Sequence, residues 1–159
     1  MRRNGFTLVE LVLVMAIMGI LLAMGTMQFS EYSRKGAIEG DTRMLLADLS
    51  KAKADAMLQR RDKAVAFTAG RYSIYSSAVT SGNPVVSRAV RYPITSPITT
   101  TILFERNGLV TDANVVGKPL CIGTSGNTAP CDSVIITETG IRLGKRNGGS
   151  CEAANITLK

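Results

Sequence analysis

The chain has 159 residues, enough for one compact domain plus an appended segment. With 45% hydrophobic and 19% charged residues it is composed to fold rather than to stay disordered. It has no His and no Trp, three widely spaced Cys and a formal charge of +7, so the commonest metal ligand and the commonest general acid–base are missing.

The first element in chain order is the apolar run from Phe6 to Phe29, whose sole charge is Glu10. As a helix rising about 1.5 Å per residue, a run of this length crosses about 30 Å of hydrocarbon. Arg2 and Arg3 precede it, which by the positive-inside rule keeps the N-terminus cytoplasmic and sends the rest outward. A secretory signal would need a shorter apolar core and a small-x-small site after it; Ala23-Met24-Gly25 lies inside the run instead. Gly19 and Gly25 loosen the helix or let neighbouring helices pack closely. Neither a signal nor a plain anchor accounts for Glu10, since a carboxylate in lipid costs about 2.5–3.5 kcal/mol.

From Ser30 to about Lys63 the pattern stays helical and becomes amphipathic. Ile38, Thr42, Leu45, Leu49, Ala52 and Ala56 recur at steps of four and three, one stripe of a helix. Glu39 and Arg43 make a favourable pair four apart, and Gly36 and Gly40 mark a place for a bend. Asp41, Asp48, Asp55 and Asp62 recur every seven residues and read as the wet side of this helix.

Short β-type runs follow. Val65–Thr68 and Tyr72–Ser76 flank a tight turn at Ala69-Gly70; a loop at Thr80–Pro84 precedes Val85–Tyr92. Pro93 and Pro97 delimit an irregular piece before Thr99–Glu105, and Asn107-Gly108 is a turn ahead of Leu109-Val110. Leu120–Ile122, Val134–Thr137 and Ile141–Leu143 complete the set, the last two joined at Thr139-Gly140. A helix followed by a strand-rich head is an α+β pattern. The expected divisions are a leader at 1–5, a membrane or filament-core helix at 6–29, an amphipathic helix at 30–63 and a β-rich head at 64–159. Among the cysteines, Cys121–Cys131, Cys131–Cys151 and Cys121–Cys151 are all conceivable pairs, with Cys121 expected to be bonded and one cysteine left over. The stretch Gly140 to Gly149 gathers Arg142, Lys145 and Arg146 among glycines, a basic tail read as a solvated loop or subunit contact, with phosphate binding as the alternative. No catalytic residue, metal or cofactor is expected.

Gly5-Phe6-Thr7-Leu8-Val9-Glu10 resembles the processing site of type IV pilins and type II secretion pseudopilins. The resemblance implies cleavage between Gly5 and Phe6 by a membrane-embedded prepilin peptidase, N-methylation of Phe6, and a Glu10 that neutralises the new amine of a neighbouring subunit in a filament. The physics agrees: a buried ammonium needs an opposite charge, and Glu10 loses its insertion cost when it meets one.

The head is similar to the GspH/FimT minor subunits, on Phe104-Glu105-Arg106-Asn107-Gly108 and on Val134 to Arg142. That similarity implies a bond from the Cys121 strand to Cys151. Some relatives are DNA receptors with a Gly-Arg-x-Arg turn; here Ile141 takes the place of the first Arg, leaving Arg142, Lys145 and Arg146. The chain is therefore expected to be a non-enzymatic, inner-membrane minor pilin with a single span, a periplasmic head and other pilins as partners. A type II secretion pseudopilin of the H type and a DNA-binding pilin for DNA uptake are the alternatives.

Overall fold

The computed structural model describes residues 7–159, the side chains at 24–27 excepted. A helix, α1 (Leu8–Gln59), leads into β1 (Lys63–Thr68), β2 (Arg71–Ile74), β3 (Val86–Ala89), β4 (Ile94–Thr95), β5 (Ile102–Phe104), β6 (Pro119–Ile122), β7 (Ser133–Ile136), β8 (Ile141–Arg146) and β9 (Ile156–Leu158). The chain divides into two compact units, Met1–Arg34 and Lys35–Lys159.

In the first unit, the helix presents its apolar side chains outward: Leu8 is 81% and Leu22 70% exposed. Its most apolar 18-residue stretch has a mean hydropathy of 2.5 and none of it is buried. By length and composition this helix can cross a membrane.

In the second unit the rest of α1 is a core element. Every member of the predicted stripe, from Ile38 to Ala56, is at most 3% exposed. Burying each Leu or Ile of that stripe contributes about 1.5–3 kcal/mol. Thr42 fits because its hydroxyl donates to the Ile38 carbonyl one turn back, at 2.7 Å. The helix runs on through Gly36 and Gly40 without a break in its assignment.

Two antiparallel sheets share that core. The first orders its strands β3-β2-β1-β5 and the second β4-β6-β7-β8-β9. Val65, Tyr72, Ile102 and Phe104 from the first and Leu120, Ile122, Val134 and Ile136 from the second join one apolar cluster with the helix stripe. The α+β expectation is thus met, and the Ala69-Gly70 turn closes on the pair Thr68↔Arg71 as predicted.

Three local features differ from the sequence reading. The helix stops at Gln59 rather than Lys63, because Arg60 takes a left-handed conformation (φ +50°). Arg61 N–H then donates to Ala56 O at 3.2 Å and Arg60 N–H to Met57 O at 3.4 Å, a paired closure that usually employs Gly. The piece between Pro93 and Pro97 contains β4, whose Ile94 and Thr95 pair with Ile122 and Cys121. The presumed basic loop is strand β8, extended by pairing with β9 from Gly144↔Leu158 to Arg146↔Ile156. Gly144 leaves room for its neighbour there, since a Cβ would stand 2.4 Å from Ile156 Cγ2 and displace that side chain.

Candidate functional site

The processing site falls at the edge of what is described. Gly5 and Phe6 lie outside the described residues. Glu10 lies within them, exposed in the first turn of α1, where its N–H donates to Thr7 Oγ1 at 3.3 Å. Thr7 therefore caps the helix start. A carboxylate in this turn also meets the positive end of the helix dipole. Leu8, Val9, Leu11, Val12 and Leu13 around it are all more than half exposed, so Glu10 stands on an apolar surface.

The heptad-spaced aspartates are half-buried, and three of them hold partners beyond their own helix face. Asp48 Oδ2 accepts Tyr72 Oη at 2.7 Å and Arg88 Nε at 2.6 Å; Asp41 Oδ2 accepts Arg91 N–H and Asp62 Oδ1 accepts Arg106 N–H, each at 2.9 Å. Asp48 and Asp41 fasten α1 to the first sheet and to the loop after β3, and Asp62, past the end of the helix, holds the turn after β5. Burial, reinforced by the Asp48 carboxylate, pushes the Tyr72 phenol well above its ordinary value. Sequence spacing placed these residues on one face but carried no sign of what that face would meet.

The basic tail is taken apart by the strand it forms. Arg142 is exposed, whereas Lys145 is one-fifth exposed and Arg146 is buried at 4%. Lys145 Nζ donates to Asp132 Oδ2 at 2.9 Å, and Arg146 sends its N–H to Asp132 Oδ1 at 2.7 Å and Nη2 to the Gly123 carbonyl at 2.8 Å. Burial pushes Asp132 up, but hydrogen bonds from Arg146 N–H, Lys145, Ser133 and Asn127 outweigh it and hold the carboxyl below the usual range. Of the three cations proposed for phosphate contact, Arg142 alone faces solvent. Asp132, which gathers the other two, was missed because nothing in the sequence marks an acid ten or more residues away as their partner.

Cys121 bonds to Cys151, with Cα atoms 6.0 Å apart, and Cys131 is free and buried. The sheet register excludes the Cys121–Cys131 alternative, because β7 sets Ser133 opposite Cys121. Burial pushes the Cys131 thiol up, away from reactivity. Among the described residues no group of three or more Cys, Asp or Glu is placed to hold a metal ion.

Residues 1–26 match the family described as the prokaryotic N-terminal methylation motif. The motif falls at the start of a long apolar helix that leads into antiparallel sheets. Among solved structures the chain is similar to the type IV minor pilin FimU of Pseudomonas aeruginosa, at 17% identity over 82% of this chain and 92% of that one, with a TM-score of 0.42. No curated protein matches it.

Proposed function

We propose that the chain is a minor pilin, cut between Gly5 and Phe6, methylated on the Phe6 amine, and built into a type IV pilus. It starts as an inner-membrane precursor whose head lies in the periplasm, and it is a filament component rather than an enzyme. The observation that carries this reading is Glu10, the one charge in the apolar run, which falls within the methylation motif and stands exposed on an apolar helix surface. Such a carboxylate is costly in lipid and gains a partner when the amine of an adjoining subunit reaches it. The tail supports a role in contact or solubility more than in phosphate capture, since Lys145 and Arg146 are committed to Asp132 and backbone carbonyls.

The test is the mass of the N-terminal peptide from cells with and without prepilin peptidase. A peptide beginning at methylated Phe6 only when the peptidase is present is expected; mature protein still beginning at Met1 would overturn the proposal. In the same cells Glu10→Gln is expected to be processed normally yet lost from sheared filaments. Normal incorporation of that variant would remove the role assigned to the charge.

A further inference from the structure

Lys145, Asn127 and Asp132 make a closed three-group contact in the second unit. Lys145 Nζ donates to Asn127 Oδ1 at 3.1 Å, to the Asn127 carbonyl at 2.7 Å and to Asp132 Oδ2 at 2.9 Å. The same Oδ2 accepts Asn127 Nδ2 at 2.7 Å, and Ala129 N–H donates to Asn127 Oδ1 at 3.1 Å. Asp132 is fully buried, its other oxygen fixed by Arg146 N–H at 2.7 Å and Ser133 Oγ at 2.9 Å.

A buried ion pair needs a carboxylate and a cation. Here a carboxamide touches both partners of the pair, with its oxygen toward the amine and its nitrogen toward the acid. One carboxylate oxygen therefore touches both the nitrogen that would attack and the nitrogen that would leave. A backbone N–H is aimed at the oxygen where negative charge would develop. From this juxtaposition we propose that the folded chain joins Lys145 to Asn127 through a side-chain isopeptide bond, releasing ammonia.

The step balances without any co-reactant. Asp132 Oδ2 takes a proton from the Lys145 ammonium, and the freed lone pair attacks Asn127 Cγ. The carbonyl electrons move onto Oδ1, where Ala129 N–H receives them. Asp132 then returns its proton to Nδ2, the Cγ–Nδ2 bond breaks with its electron pair, and the carbonyl re-forms. The surplus proton on the new amide nitrogen passes through Asp132 to the departing ammonia. The positive charge of Lys145 leaves as ammonium, and Asp132 ends ionised. Proximity beside the buried Asp132 supplies the effective concentration that free side chains lack. The bond would tie the segment between β6 and β7 to β8, in the same sheet that the Cys121–Cys151 bridge braces.

Peptide mapping of the reduced, full-length protein by tandem mass spectrometry tests this. The expected result is a branched tryptic peptide joining the segment that holds Asn127 to the segment that holds Lys145. It should be lighter by one ammonia and lack cleavage after Lys145. Lys145→Arg and, separately, Asn127→Ala should each abolish the branch completely while Cys131 stays protected from thiol reagents, which shows that the head still folds. Linear peptides with intact Asn127 and normal cleavage after Lys145 would overturn the proposal. An ammonia loss that maps to Asn107-Gly108 or Asn147-Gly148, or a loss of water that maps to Asp132, would overturn it equally.

Discussion

The two units put one kind of helix to opposite uses. Before residue 35 the apolar side chains of α1 face outward, as Leu8 and Leu22 do; beyond it Leu45 and Leu49 are no more than 1% exposed. The same residue type therefore stays exposed in one unit and is packed by its own chain in the other. Charge follows the same division. Glu10 stands among exposed apolar side chains, whereas Asp48 and Asp132 each collect several donors. The first unit leaves its described apolar side chains outward, and the second packs them against its own strands.

That contrast can be broken most directly by a pair of equal truncations. Leu49→Ala is expected to cost the second unit about 2–5 kcal/mol through lost burial and a cavity. Leu13→Ala, chemically the same change, should alter it by less than about 0.5 kcal/mol. The buried Cys131 thiol reports both, because its labelling rate in urea follows the opening of the core. Equal losses for the two variants would refute the division.

A smaller effect tests whether the aspartate seam is part of the second unit's own stability. Tyr72→Phe deprives Asp48 of its buried donor and should cost about 1.5–3 kcal/mol by the same thiol measurement. Unchanged labelling would mean that Arg88 alone satisfies the carboxylate.

Acid should separate the units further. Asp132 titrates lower folded than unfolded, so its contribution is present above the ordinary carboxylate pKa of about 3.9 and is lost as pH falls through the lower folded value. Second-unit stability is expected to stay level near neutrality and to drop at strongly acidic pH. Asp132→Asn should be weaker at neutral pH and show a shallower acid slope; an identical slope would assign the acid response elsewhere. The smallest change is a gain. Arg60→Gly removes a side chain from a left-handed backbone position and should stabilise by about 0.5–1 kcal/mol, seen as slower labelling. Destabilisation would show that the Arg60 side chain contributes more than its strain costs.

Local pattern was enough wherever one element decides its own state. The stripe from Ile38 to Ala56 and the Ala69-Gly70 turn were legible because each depends on residues a few positions apart. β4 was not, because two residues between prolines form a strand only through β6. β9 likewise exists through β8. The candidate site divides along the same line. The motif through Gly5, Phe6 and Glu10 is contiguous and could be read directly, whereas the tail cations could not be assigned without their partner.

Sequence by itself determined the membrane-length apolar run, the solitary acid within it, the buried helix stripe and the α+β order, since each follows from composition or periodicity over one segment. Tertiary structure chose Cys121–Cys151, the pairing the resemblance implied, from the three that spacing left open, and it alone decided the recruitment of the aspartates and the turning of Lys145 and Arg146 onto Asp132. Those outcomes are set by sheet register and burial, which bring together residues that no spacing rule connects.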